Sequence, residues 1–249
     1  MLNILITGHE GFIGRNVLRH LKDKHDVTLY QGDIRDWGKE YLGNPDVVLH
    51  LAALAGVRRS WDMPNDYWEV NVSASKKIFD WCNDRGIRCL YASSSSVYEW
   101  WLNPYAASKK AMEEVANENS LGMRFHTVYG HNSRPDMFYD MMLNGKVKYV
   151  TDHLRDWTHV KDVCDAIELC ISNHDLCGTI DIGTGNPVKV ADVAEAYGLE
   201  LPMKSVTGER DVTHADTSLL LSLGWQPKYD IMEEVKNARR IPVGGKVSP

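Results

Sequence analysis

The sequence predicts an α/β fold, a doubly wound parallel sheet (Rossmann type) with a small C-terminal lobe. Three observations predict it. Apolar runs of strand length alternate with amphipathic segments of helix length through the first half of the chain. The runs are short and read as buried on both faces, as strands of a parallel sheet are. A glycine-punctuated turn, TGHEGFIG, joins the first run directly to the first helical segment.

In order, LNILIT reads as a strand and RNVLRHLKDK as a helix, and VTLY is a short second strand. DVVLHLA is a third strand, followed by a helix-length segment over NDYWEVNVSASKKIFDWCNDRG. IRCLYAS precedes a helix over PYAASKKAMEEVANEN, and MRFHTV closes this half. Beyond about residue 130 the rhythm loosens: a short helical piece ends at Gly145, then come a helix over VKDVCDAIELCI, the strand TIDIG, and turn-rich segments. Residues 1–130 and 155–185 are expected to form the sheet-containing unit, and 131–154 and 186–249 the small lobe.

A chain of 249 residues with 43% hydrophobic and 25% charged residues can bury one substantial core. Its net charge of −6 and scattered basic pairs, such as Arg58-Arg59, give no footprint for nucleic acid, so a small polar ligand is expected. The five cysteines form no C-x-x-C pair and read as reduced thiols, which places the chain in the cytoplasm as an expectation. MLNILITG shows no basic leader, and no run is long enough for a membrane span. Ten histidines include no H-E-x-x-H arrangement, so no metal site is expected.

Gly8, Gly11 and Gly14 follow the first strand and open the first helix. Backbone that turns sharply and approaches a pyrophosphate has no room for a Cβ, and a helix N-terminus adds free N–H groups. Strand, spacing and helix together read as a dinucleotide site. An acidic residue normally ends the second strand and grips the adenosine ribose, but Tyr30 and Gln31 stand there. Asp33 is the nearest carboxylate, and it either serves the nucleoside or caps the following turn.

The stretch SSSSVYEWWLNPYAASKK carries the chemistry. Asn103-Pro104 starts a helix, so Tyr105 and Lys109 fall one turn apart on one face. The composition alone would give roughly 0.7 such Y-x-x-x-K pairs by chance. The serines add weight, because they sit at the carboxyl end of a strand, where ligands of open parallel sheets bind. A tyrosine whose pKa is lowered by an ammonium and a positive nicotinamide can take the proton of a sugar hydroxyl while hydride leaves for NAD, and a serine hydroxyl steadies the same oxygen.

The motifs TGHEGFIG, HLAALAGVRRS, VNVSAS, SSSSVY, YAASK, TVYG, RPDM, RDWTHVKD and GERDVTHADTS occur in an order that resembles the extended short-chain dehydrogenases/reductases, the family of nucleotide-sugar epimerases and dehydratases. The resemblance implies Ser94, Tyr105 and Lys109 as catalytic trio. It places NAD along Gly8, Gly11, Phe12, Ile13, Gly14, Asp33, Ile34, His50, Leu51, Ala52, Ala53, Tyr105 and Lys109. Asn71 supports the site, Arg155 meets the nucleotide diphosphate, and a homodimer is implied through the helices holding Asn71 and Lys109. HTVYG followed by SRPDM is most similar to UDP-glucuronate 4-epimerases. That likeness puts Thr127 and Arg134 at the sugar end, with Ser95 and Ser96 able to hydrogen-bond a substrate carboxylate. For Arg134 a salt bridge with Asp136 is the alternative. Dehydratases carry acids after the catalytic serine and decarboxylases a glutamate. Ser95-Ser96 here leave epimerisation as the expected outcome, with no acid beside the sugar ring.

The departures are informative. Six residues separate Tyr98 from Tyr105 where relatives carry a longer loop, so the sugar site is expected to be more open. Val206 stands where a second diphosphate-binding arginine often lies, with Lys204 or Arg210 as substitutes. Glu10 would repel a 2′-phosphate while Arg15 and Arg35 would attract one; NAD is favoured. The expected function is an NAD-dependent 4-epimerase of a UDP-sugar. The alternatives are an NADP-dependent keto-sugar epimerase/reductase of GDP-fucose synthase type and a non-catalytic dinucleotide sensor.

Overall fold

The computed structural model describes residues 1–38 and 43–239. Its main sheet has six parallel strands: β1 (Asn3–Thr7), β2 (Asp26–Leu29), β3 (Val47–His50), β4 (Arg88–Ser94), β5 (Ser120–Phe125) and β8 (Gly178–Ile182). They lie in the order β2-β1-β3-β4-β5-β8. Between them run α1 (Phe12–Leu21), α2 (Val57–Asp62), α3 (Pro64–Trp68), α4 (Ser75–Asn83), α5 (Pro104–Glu114), α6 (Phe138–Leu143) and α7 (Val160–Ser172).

Strand periodicity explains how one sheet serves two helical layers. Side chains alternate between faces, so Ile4, Ile6, Val47 and Leu49 enter the core beneath α1 and α7, whereas Leu5, Val48 and Tyr91 pack against α4 and α5. Every residue of β3 is buried, which accounts for its unbroken apolar run up to His50. The expected doubly wound sheet is therefore present. The chain leaves β1 on one side to form β2 and then crosses to the other side for β3. A reversal of strand order of this kind is where open parallel sheets bind their ligands. Among the described residues, one short strand and a single 3₁₀ turn (Ile34–Asp36) occupy the stretch between α1 and β3, as the condensed sequence suggests.

The helix-length segment before β4 is not one regular helix. A π-helical stretch, Glu69–Ala74, separates α3 from α4. The wider turn rotates the following residues, and Asn71 sits inside it, fully buried. By contrast α5 starts where expected: the Asn103 side chain accepts from the Ala106 N–H at 2.8 Å, with Pro104 in the first turn.

A second, three-stranded sheet contains β6 (Thr127–Tyr129), β7 (Leu154–His159) and β9 (Pro187–Lys189). It is backed by α8 (Val190–Tyr197) and α10 (Ile231–Arg239), with α9 (Ser218–Ser222) preceding the latter. Their core joins Tyr129, Tyr139, Trp157, Val193 and Val235. Thus β6 and β7 belong to the small sheet, while α7 packs on α1 and β8 returns to the large one. The small sheet approaches the large one at the carboxyl end of β5, where His126 alone separates β5 from β6.

Candidate active site

Two of the loop glycines answer to the protein's own packing. Gly8 has φ 71°, and a Cβ there would lie 2.4 Å from the Ala52 nitrogen; one on Gly14 would lie 2.1 Å from the Gly8 carbonyl. The β1–α1 loop is thus pressed against the Leu51–Ala52 segment and against its own helix. Gly11 differs: it is exposed, caps α1 without a side-chain bond, and its Cβ would meet nothing nearer than the Gly8 oxygen at 3.2 Å. The phosphate argument therefore rests on Gly11 and on the first N–H groups of α1. The Phe12 side chain is part of the core and Ile13 packs against that core, which leaves their backbone facing the loop. The His9 Nδ1, in the same loop, is buried without a hydrogen-bond partner among the described residues. An open helix N-terminus and an orphaned polar atom beside it fit a dinucleotide diphosphate.

Asp33 caps the 3₁₀ turn, accepting from the Arg35 N–H at 2.9 Å and pairing with the Arg35 guanidinium at 2.6 Å. Those bonds hold its carboxyl below the usual range. Of the two readings the sequence left open for Asp33, the cap is what the fold displays, and it also engages Arg35. Ile34 is buried in the layer beneath α4. His50 is a fully buried strut, its Nδ1 2.8 Å from Thr7 Oγ1 and its Nε2 2.9 Å from Ser75 Oγ. Burial, aided by the charge of Lys109, pushes its pKa down to about 3, so it is neutral. Asn71 grips the next turn of chain: Oδ1 accepts from Leu54 N–H at 2.8 Å, and Nδ2 donates to Leu54 O and to Ser108 Oγ, both at 3.0 Å. The β3 loop, with Leu51, Ala52 and Ala53, is in this way tied to both β1 and α5.

Ser94 ends β4 and caps the 3₁₀ turn beyond it, accepting from the Ser96 N–H and donating to the Ser96 hydroxyl, each at 3.2 Å. Lys109 is 2% exposed, and its Nζ donates to Ala92 O at 2.6 Å. Burial brings its pKa down to about 7, with Glu113 pulling the other way. Tyr105 lies between, its ring edge-on to Tyr67 at 6.1 Å. Tyr67 is itself fixed through its hydroxyl to the carbonyls of Ala55 and Gly56. In the protein alone the Tyr105 phenol is raised, because burial outweighs the opposing Ser94 hydroxyl and Arg134 charge; the lowering expected from the sequence includes the charge of a nicotinamide ring.

A cavity of about 160 Å³ opens at Ser94, lined also by Ser95, Ser96, Thr127, Arg155 and, from the chain beyond β9, Arg210. A wider groove of about 760 Å³ adjoins it, with Ala53, Gly56, Arg58 and Arg134 on its walls and Val57 and Glu209 common to both. Of the residues expected at the sugar end, Ser95, Ser96 and Thr127 line the cavity and Arg134 the adjoining groove. Arg134 pairs with Asp136 at 2.9 Å and also lines the groove, so its two readings coexist. Arg155 is held by His153 Nδ1, Glu209 and the Arg210 carbonyl.

Sequence reading missed three things. Glu99 and Glu209 both line the cavity that holds the three serines, two carboxylates that the reading of the residues after Ser94 did not place there. Glu99 directly follows Tyr98 in the shortened loop, a position that carried a signal. Arg210 bonds Ser95 O and Glu99, not a phosphate-side partner. His126 also lines the cavity, with its buried Nε2 3.4 Å from Asp181 Oδ2. Among the described residues no group of three or more His, Cys, Asp or Glu is arranged to hold a metal, and no helix is long and apolar enough to cross a membrane.

A doubly wound sheet with a glycine loop, a strand-end serine, a tyrosine and lysine on the next helix, and a smaller unit over the cleft is the architecture of the extended short-chain dehydrogenases/reductases. Residues 4–183 match the NAD dependent epimerase/dehydratase family, and the chain belongs to that family. An uncharacterised protein of Methanocaldococcus jannaschii is 29% identical, with 94% of each chain covered. UDP-glucuronate 4-epimerase 3 of Arabidopsis thaliana is 26% identical over 97% of this chain and 76% of its own. Among solved structures, MoeE5 in complex with UDP-glucuronic acid and NAD is 30% identical, with a TM-score of 0.83 over 94% of this chain and 96% of its own. MoeE5 in complex with UDP-glucose and NAD, at the same identity, gives 0.85 over 95% and 97%. The family is NAD-dependent, in agreement with the cofactor read from the glycine loop.

Proposed function

We propose that this protein is an NAD-dependent 4-epimerase of a UDP-sugar, with UDP-glucuronate the favoured substrate and UDP-hexose the next. What supports the reading is that Ser94 ends β4 and lines a cavity walled by serines and arginines, while Tyr105 and Lys109 share one face of α5 and Lys109 Nζ bonds the Ala92 carbonyl of β4. The likeness to MoeE5, whose complexes hold UDP-glucuronic acid or UDP-glucose, supports the choice of substrates.

Gly11, the N-terminus of α1 and the Leu51–Ala53 segment would hold the cofactor, with Gly8 and Gly14 letting the loop pack closely enough to present them. NAD, when bound, takes a hydride from carbon 4 of the sugar and returns it, and its positive ring favours the phenolate. Tyr105 Oη accepts the proton of the carbon 4 hydroxyl, and the Ser94 hydroxyl steadies the same oxygen. Lys109, one helical turn on and with its pKa brought down to about 7 by burial, is held by the Ala92 carbonyl on the same face of α5 as the phenol. Arg155 anchors the diphosphate, and the 4-keto sugar turns over within the cleft so that hydride returns to its other face. Tyr105 then gives the proton back.

The two-unit division of the chain, 1–130 with 155–185 and 131–154 with 186–249, is part of this proposal, with β6 and β7 attaching the smaller unit. So is a homodimer through the helices that carry Asn71 and Lys109, which sedimentation at micromolar concentration tests. For the reaction, NMR of the protein with NAD and UDP-glucuronate is expected to develop a galacturonate signal without net reduction of NAD. An unchanged ring with conversion of UDP-glucose would move the substrate assignment to the hexose. No conversion of either would refute the reading.

A further inference from the structure

We infer that Arg210 is a specificity-determining residue that takes a negatively charged group on carbon 6 of the sugar, and that Glu99 is an internal carboxylate holding the same guanidinium when no such group is there. The inference rests on the proposed UDP-sugar reading.

Arg210 crosses from the smaller unit to the serine turn. Its Nη1 donates to Ser95 O and its Nε to Glu99 Oε1, both at 3.0 Å, and its guanidinium lies 5.3 Å from the Tyr98 ring centre. Arg124 stands over the same ring at 4.9 Å, but Glu113, almost fully buried, binds it through both oxygens at 2.8 and 2.9 Å. That charge is spoken for within the protein. Among the described residues the Arg210 Nη2 makes no hydrogen bond, so this guanidinium faces the cavity with a donor to spare.

The two partners are unequally fixed. The Arg210 side chain is 17% exposed and held by a backbone carbonyl and an aromatic face, whereas that of Glu99 is 37% exposed. Glu99 also sits at a kink between two 3₁₀ turns, with φ −128° and ψ 54°, in the short loop after Tyr98. It can therefore swing outward while Arg210 stays. A sugar carboxylate replaces that of Glu99 one for one, and the guanidinium never loses its counter-charge. A hydroxymethyl group offers no such exchange and must leave the internal pair intact. An ion pair broken only by a ligand of the right charge discriminates between substrates rather than strengthening both.

The test measures dissociation constants for UDP-glucuronate and UDP-glucose by calorimetry on NAD-loaded protein carrying Tyr105→Phe, which blocks turnover, with and without Glu99→Gln or Arg210→Met. Glu99→Gln removes the competing charge and is expected to raise the preference for UDP-glucuronate about tenfold. Arg210→Met is expected to abolish that preference, and Arg210→Lys to restore part of it. Should Arg210→Met fail to fold, Glu99→Gln decides alone. A preference that stays constant in Glu99→Gln, or falls, overturns the inference. Absence of turnover in the unaltered protein counts against the epimerase reading only, because the binding ratio is read without it.

Discussion

Replacing Lys109 by methionine should abolish turnover and yet make the protein more stable near neutral pH. The amine titrates at 10.5 when free and at about 7 in the fold, where it is 2% exposed. In that window the unfolded chain binds a proton that the native protein has released, so stability contributed by this site rises with pH from about 7 to 10.5. Near pH 7 the buried amine costs on the order of 4 kcal/mol relative to a neutral side chain of the same shape. Methionine leaves the Ala92 carbonyl without its donor, which returns about 1–2 kcal/mol of that gain. The net expectation is a variant more stable by about 2–3 kcal/mol near pH 7, with most of the difference gone by roughly pH 9.5. Urea denaturation of both proteins at the two pH values measures it, and the comparison cancels other groups that titrate in the range. A variant less stable than the parent near pH 7, or a gap that does not shrink as pH rises, would refute the reasoning.

Tyr105→Phe should lower kcat at least about a hundredfold while tryptophan quenching by NAD shows the cofactor still bound. Asn71→Leu removes three bonds to Leu54 and Ser108 in a fully buried setting; it should cost about 2–4 kcal/mol in chemical denaturation and raise the KM for NAD more than it lowers kcat. Gly14→Ala forces a methyl to within 2.1 Å of the Gly8 carbonyl and should lose soluble protein or at least about 2 kcal/mol, whereas Gly11→Ala should fold and show weakened NAD binding on titration. The reverse pattern would mean that Gly11, and not Gly14, is the packing glycine.

The strand and helix order was legible because burial on both faces leaves short apolar runs alternating with amphipathic segments, and because the glycines of TGHEGFIG mark the junction of the first strand and first helix. Tyr105 and Lys109 were legible together, since Asn103-Pro104 fixes where α5 begins and helical geometry fixes the rest. What sequence could not supply was the environment of those groups. The pKa of Tyr105 depends on how deeply the phenol is buried, and that of Lys109 on a carbonyl from β4, neither of which is a neighbour in the chain.

By itself the sequence determined the parallel sheet, the glycine loop, the shortened second-strand region and the identity of the serine, tyrosine and lysine, because each depends on local spacing and on which side chains tolerate burial. Only the tertiary structure decided which glycine is free for a ligand, that Asp33 is tied to Arg35, and that Glu99, Glu209 and Arg210 share a cavity with the serine turn. The reason is distance along the chain. Arg210 lies 111 residues from Glu99 and 115 from Ser95, and only the tertiary fold brings the chain beyond β9 against the carboxyl end of β4, within hydrogen-bonding reach of both.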